Sequence, residues 1–510
     1  MIQTIKGLTH PTQLYGPPAI LGFDANCAIY DCVHRLSKRT PYTTINHRMW
    51  EAQLIEDTIK YFEAIIKDVA PTQAIWIALD GVAPMAKIRQ QRGRRFKSSV
   101  QPVEDGERWD TNAITPGTAF MVQLSKALHT WAKKAHPIPI RISAAEEPGE
   151  GEQKLMQWFR ASPTPHMVIY GLDADLIILA LLHGFTYKTR IDLYREDVAF
   201  GKKSDQFLYL YTDQLAKVLQ EKWSIPMDDF TGCMSLLGND FVPHGLGLKI
   251  REEGMEHVLE AYGKIRKSHP SLIQEGAYHI PTLLALLQEL STKESDWMLE
   301  IAKEKLTTRP GQYCSSSDPK ERALALQNDL PLVWAVEKAL VECKGGHWSL
   351  RPTFSKAYQS VGLWGSSFET ASKYYLEALA WCFAYYKGES VDMEWYYPWW
   401  IAPPLQDVGD LLKKTRTLSI PKTVRKPLLP VEQLAMVLPL SSYSLLPSVY
   451  QAFPKDRPEL FPVEWSLFSL GRRLLWECEP MIPLVLPATL RTWKEALEEA
   501  PLEPIPVLRM

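Results

Sequence analysis

No stretch of eighteen apolar residues occurs in this 510-residue chain, no cysteine pair has CxxC spacing, and neither sign of charge dominates. The first absence removes the signature of a membrane-spanning helix, and no signal peptide opens the sequence, so neither insertion nor secretion is expected. Seven cysteines, an odd number without metal-finger spacing, provide neither a disulfide framework nor a zinc finger and fit a reducing compartment with buried free thiols. A formal charge of −2 and a pI near 6.7 exclude a surface that is basic everywhere, so any contact with nucleic acid has to come from a local cluster. No dense basic import run stands out: KKTR at Lys413 to Arg416 and VRK at Val424 to Lys426 are short. Cytoplasm, with the nucleus as the other choice, is the expected compartment. Internal repeats and low-complexity tracts are also missing.

With 46% hydrophobic and 23% charged residues, the chain is long enough for two or three packed domains. From Pro18 to about His183, short apolar runs ending in acidic turns alternate with helical stretches such as Arg48 to Ile66. This is the pattern of an α/β domain with a largely parallel sheet flanked by helices. AILGF, AIWIAL and HMVIY are the clearest strands. After GNDFVP the pattern turns helical, with helices expected over Glu253 to Lys267, Ile280 to Lys305 and Lys320 to Lys344, and a loop over Arg309 to Ser317. An aromatic block spans Tyr374 to Trp400. A connection rich in Pro and Lys, about Asp407 to Pro430, is expected to cross the surface, and Val431 to Met510 reads as a wrapping element. The expected division is an α/β core over residues 1–250, a helical region over 251–400, and a Pro-rich linker with a wrapping segment over 401–510.

Seven carboxylates sit where a strand or helix meets a turn: Asp24, Asp80, Glu150, Glu152, Asp173, Asp175 and Asp240. Taken singly, each has a plain explanation as a helix N-cap or turn residue. As a set they are costly to gather without cations, and ligands of such sheets bind at the carboxyl ends of the strands. Asp173 and Asp175, at i,i+2, are spaced to share an ion; Glu150 and Glu152 repeat the spacing between glycines that allow close backbone approach. Magnesium prefers oxygen ligands, and a group this rich reads as a site for two Mg²⁺ ions, with Mn²⁺ as a substitute, about 3.5 to 4 Å apart.

Beside Asp80 lies a basic cluster of Lys87, Arg89, Arg92, Arg94, Arg95 and Lys97. On a helix, Lys87, Gln91, Arg94 and Arg95 fall on one face and are placed to close around a terminal phosphate. The alternative is a solvated charged face. Tyr30, six residues after Asp24, and Trp395 are candidate stacking platforms for single-stranded bases, against the alternative of ordinary packing.

These residues lie in motifs that resemble the Xrn family of 5′→3′ exoribonucleases. The motifs are LDGVAPMAKIRQQRGRRF from Leu79, DTNAITPGTAFM from Asp110, PGEGEQKLM from Pro148, YGLDADLIILAL from Tyr170 and DDFTGCMSLLGNDFVPH from Asp228. They continue with WYYPWWIAP from Trp395, EQLAMVLP from Glu432 and GRRLLWE from Gly471. The resemblance runs from about residue 20 to 485 and is to a compact form carrying the two conserved regions, the second including 370–400, with little after them. It implies a nuclease core of the PIN/FEN type with a helical extension. It carries the family's metal ligands onto the seven acids, and its 5′-monophosphate pocket onto Lys87, Gln91, Arg94 and Arg95. Tyr30 stands where the family has a stacking histidine, Met393 where it has a tryptophan, Ala113 where cysteine is frequent and Met85 where arginine is common.

The implied activity is hydrolysis of 5′-monophosphorylated single-stranded RNA to nucleoside 5′-monophosphates by a monomeric enzyme of RNA decay. Two alternatives stand beside it. One is a catalytically inactive RNA-binding or structural protein with the same fold; the other is a 5′ nuclease acting on DNA.

Overall fold

The computed structural model describes residues 8–499, apart from 101–106, 135, 200–201, 310–313, 315 and 423–426. A seven-stranded sheet organises its first half: β1 (Thr9–His10), β2 (Ile20–Asp24), β3 (Ala74–Ala78), β4 (Ile140–Ser143), β5 (His166–Tyr170), β6 (Arg190–Ala199) and β7 (Lys202–Leu210), in the order β1-β7-β6-β5-β2-β3-β4. The five strands from β6 to β4 run parallel, and β7 and β1 add antiparallel at one edge. The β6–β7 hairpin extends the sheet past the expected limit near His183.

The β2, β3 and β5 runs are almost wholly apolar because helices cover both faces. On one face lie α1 (Asn26–Arg39), α2 (His47–Val69) and, after α3 (Met85–Ser99), α4 (Ala119–Ala132). On the other lie α5 (Gly151–Ala161), α6 (Asp175–Tyr187), α7 (Thr212–Trp223) and α8 (Met227–Met234). From β2 the chain moves outward to β3 and β4, then returns to β5 on the opposite side of β2. Connections therefore diverge between β2 and β5, which opens a crevice at their carboxyl ends.

The apolar core beneath α5 to α8 continues into α9 (Gly254–Ile265), α10 (Ile280–Thr307), α13 (Phe354–Leu363), α14 (Phe368–Lys387) and α15 (Leu405–Leu412), through residues such as Leu286, Tyr375 and Trp381, while α11 (Pro319–Asn328) and α12 (Leu330–Val333) lie outside it. Pro331 interrupts the helix expected over Lys320 to Lys344: α11 and α12 are short, and Val341–Lys344 instead pairs with His347–Leu350 across Gly345 and Gly346. Cys343 is exposed on that hairpin, whereas Cys32, Cys233, Cys382 and Cys478 are buried; all seven thiols are free. The start of the supposed surface connection also differs. Val408 and Leu412 of α15 are buried against α10 and α14, and buried Glu294 of α10 accepts the Leu405 N–H at 2.8 Å.

Past Lys413 to Arg416, Val424 to Lys426 lie outside the described residues. Then α16 (Pro430–Val437), α17 (Phe453–Asp456) and α18 (Pro487–Glu499) build a further apolar cluster around Met85, Ile88 and Phe96 of α3. The C-terminal segment thus clasps the helix that carries the basic cluster. Among the described residues no helix is long and apolar enough to cross a membrane.

Candidate active site

Asp24 closes β2, Asp80 follows β3 by two residues, Glu150 caps α5, Glu152 lies in its first turn, and Asp173 and Asp175 bridge β5 to α6. Each is carried to the crevice by the element before it, and the amino ends of α5 and α6 favour negative charge there. The turns are tied together. Asp80 Oδ1 accepts the Gly151 N–H at 2.8 Å, and the Asp80 N–H donates to Asn26 Oδ1 at 3.1 Å. Gly81 and Gly149 exchange backbone bonds with the opposite loop at 2.8 Å, and Lys154 Nζ donates to the Leu79 and Ala144 carbonyls. Gly151 itself is forced: an added Cβ would lie 2.4 Å from Asp24 Oδ1.

One carboxylate oxygen each from Asp24, Asp80 and Glu152 lie within 4.8 Å of one another. Glu150 Oε2 meets Lys87 Nζ at 3.0 Å and its Oε1 accepts the Tyr385 hydroxyl at 2.8 Å. Lys87 Nζ also meets Asp240 Oδ2 at 2.6 Å, while Gln90 donates to Asp240 Oδ1 at 3.1 Å. The Tyr386 hydroxyl faces Asp175.

Burial, followed by repulsion from Asp80 and Asp173, pushes Asp24 well above the usual carboxylate range. Burial, then Glu150 and Asp24, do the same to Glu152. Asp175 is raised to about 7 by burial and then by Asp240, and Asp173 is raised by burial and by Asp240 and Asp80, with Lys87 opposing. The seven acids therefore act on one another through a single electrostatic field. Oxygen donors alone, crowded and desolvated, with one ammonium among them, form a donor set suited to a hard divalent cation.

The basic cluster divides in three. Arg89, Arg92 and Lys97 serve the fold: Arg89 donates to the Tyr397 carbonyl at 2.6 Å and stacks 3.5 Å over Trp400. Arg92 is buried among the carbonyls of Pro483, Met436 and Leu460, and Lys97 holds Cys478 O at 2.7 Å. Lys87 sits within the acids, and Gln91 is buried, its amide oxygen 3.4 Å from Gln433 Nε2. Arg94 is exposed. Arg95 is buried, donates through Nη2 to Thr115 Oγ1 at 2.8 Å, and leaves Nη1 without a partner among the described residues; burial lowers its pKa to about 10. A buried guanidinium with an unmade bond is expensive unless an anion completes it.

Tyr30 is 40% exposed, and after the effect of burial it is the group that acts most on the charge of Arg95. Trp395 is half-buried, stacked on Trp381 at 5.7 Å, which stacks in turn on Tyr385 at 5.0 Å. One of its faces is therefore committed to a wall that reaches Glu150, and Met393 is the exposed side chain of that loop. Sequence reasoning passed over Asn26, Thr115, Tyr385, Tyr386 and Gln433. The motifs DTNAITPGTAFM and EQLAMVLP hold Thr115 and Gln433, and the aromatic block from Tyr374 to Trp400 holds Tyr385 and Tyr386.

The family model for the "XRN 5'-3' exonuclease N-terminus" matches residues 17–197, and that for the "Xrn1 helical domain" matches residues 365–500. The chain is similar to human 5'-3' exoribonuclease 1, at 28% identity over 91% of this chain and 32% of the relative. It is also similar to 5'-3' exoribonuclease 2 of Candida albicans (24% identity, 91% of this chain, 66% of the relative) and to the Drosophila melanogaster 5'-3' exoribonuclease 2 homolog (24%, 91% and 64%). It thus spans from about a third to just under two thirds of the length of these relatives. With one family model on the α/β sheet, the other on the helices and segment that close over it, and alignments joining the two, the chain belongs to the Xrn family.

Proposed function

We propose that this chain is a 5′→3′ exoribonuclease that hydrolyses 5′-monophosphorylated single-stranded RNA and releases nucleoside 5′-monophosphates. The observation that carries the reading is the nearness of a desolvated carboxylate cluster to a buried arginine whose Nη1 lacks a partner. The names of the relatives support the same activity.

Asp24, Asp80, Glu150, Glu152, Asp173, Asp175 and Asp240 would hold two divalent ions, Mg²⁺ or Mn²⁺. Bound there, the metal supplies charge neutralisation at phosphorus, a water of lowered pKa and stabilisation of the departing 3′ oxygen. The protein's own contribution is placement. Arg95 Nη1 and exposed Arg94 take the terminal phosphate, which makes the 5′ end the starting point. Tyr30 offers a ring face beside that phosphate. Lys87 lowers the repulsion between Glu150 and Asp240, so that the acids keep their positions before substrate arrives. A cap adds bulk and charge where two guanidinium groups wait for a single phosphate, and so is refused.

The test uses one RNA sequence with a 5′-monophosphate, hydroxyl or triphosphate, in Mg²⁺ and in EDTA. Mononucleotides released only from the monophosphate, and only with metal, are expected. Trimming from the 3′ end, or equal use of all three ends, would overturn the proposal.

A further inference from the structure

A second basic cavity, of about 370 Å³, opens on the Asp240 side of the acids, where the loop after α8 meets the GRRLLWE segment. Lys249, Arg251, Arg472 and Arg473 line it together with Trp476, which is 54% exposed. Of the three acids in its wall, Glu252, Glu477 and Glu479, the last two are already engaged. Glu477 Oε2 accepts the N–H groups of Arg473 and Leu474, its Oε1 meets Arg251 at 3.4 Å, and Glu479 lies 3.8 Å from Lys97. Arg251 stacks 4.4 Å over the Trp476 ring, and Arg472, whose Nη1 and Nη2 already meet His244 Nε2 and the Trp400 carbonyl, keeps a buried Nε without a partner among the described residues. An exposed indole paired with a guanidinium, in a basic cleft with a spare donor, is the combination that holds a base and its phosphate.

The cavity stands in a definite relation to the phosphate pocket. Lys87 of α3 links Glu150 to Asp240, which lies on the loop after α8 that also lines the cavity, and Arg95 stands further along the same helix. Lys97, two residues after Arg95 on α3, reaches the Trp476 and Cys478 carbonyls and fixes the wall of the cavity to that helix.

We infer that this cavity binds single-stranded RNA on the 3′ side of the scissile phosphate, with Trp476 and Arg251 as the stacking platform and Arg472 as a phosphate donor. This assignment rests on the nuclease reading for its polarity. Its chemistry, a base stacked beside a neutralised phosphate, does not require cleavage. These residues position the strand and touch no reacting atom.

The test measures binding by fluorescence anisotropy in EDTA, with 5′-phosphorylated, 3′-labelled trinucleotide and dodecanucleotide RNA, for the full chain and for Trp476→Ala, Trp476→Phe and Arg251→Ala. The wild-type protein is expected to prefer the dodecamer. Trp476→Ala and Arg251→Ala should each shrink the dodecamer-to-trinucleotide affinity ratio by about five-fold or more, the lower end of what losing one stacking platform costs. Trp476→Phe should retain most of the ratio. Unchanged ratios in both alanine variants, or equal losses on the two lengths, would overturn the assignment and leave this face to a protein partner. Failure of the wild-type protein to cut RNA would refute the nuclease reading, and a length-dependent loss in the variants would still uphold RNA binding in the cavity.

Discussion

Replacing Gly151 by alanine separates the geometry of the acids from their identity. The added methyl would lie 2.4 Å from Asp24 Oδ1, against the 3.4 Å at which ordinary contact begins, so the carboxylate must retreat by about 1 Å. The Ala78 carbonyl, at 3.1 Å, leaves the methyl little room on its other side. The stability terms partly offset each other: overpacking costs about 1–3 kcal/mol, while alanine in place of glycine in the first turn of α5 returns up to about 1 kcal/mol. A 1 Å misplacement in a reacting constellation costs on the order of 100-fold in rate, or about 2.7 kcal/mol. Gly151→Ala should therefore melt within a few degrees of the native protein and release mononucleotides from 5′-monophosphorylated RNA about 100-fold more slowly in saturating Mg²⁺. Gly263→Ala, where the methyl meets nothing within 4 Å, is the control and should keep full rate. Retention of more than about a third of the native rate by Gly151→Ala would refute the claim that Asp24 has one permitted position.

Three further outcomes follow from the same geometry. Asp173→Ala removes the most solvent-accessible of the seven acids; it should keep the native far-UV spectrum and lose RNA hydrolysis, and full activity would exclude Asp173 from the proposed metal role. Arg95→Ala should lower the preference for a 5′-monophosphate over a 5′-hydroxyl by about ten-fold or more, the value of a hydrogen bond to a charged group, as read from the ratio of kcat/KM for the two substrates. Glu294, buried and raised to about 8 by desolvation, keeps its proton in the folded chain at a pH where the unfolded chain, near 4.5, has released it. The folded state then binds the extra proton between those values. Stability should fall as pH rises from about 4.5 to 8, by up to about 1.4 kcal/mol per unit, and the slope in urea titrations should flatten in Glu294→Gln; an unchanged slope would argue against this origin.

Local chemistry made much of the molecule legible. Apolar runs of strand length ending in aspartate marked β2, β3 and β5, because a strand buried on both faces needs near-continuous apolar residues and its carboxyl end faces the ligand crevice. The helical spacing of Lys87, Gln91, Arg94 and Arg95 held, since periodicity is local. Their division was not legible. Whether a cation on α3 meets acids, carbonyls or open solvent depends on segments about 150 to 390 residues distant, such as Asp240 for Lys87 and Pro483 for Arg92. Pro331 was a visible breaker and Gly345-Gly346 a visible two-residue turn, so the hairpin beyond Pro331 was open to a local reading in place of the expected helix.

By itself, then, the sequence determined the α/β class, the strands that deliver the acids, the composition of the cluster and the resemblance that named the family. Tertiary structure alone decided that Lys87 sits among the acids, that Arg95 is buried with a free donor, that Trp395 lies in a wall, and that a tryptophan-faced basic cavity opens beside Asp240. The physical reason is range: propensity and periodicity act within a few residues, whereas desolvation, charge coupling and unmet hydrogen bonds exist only once distant segments exclude water from one another.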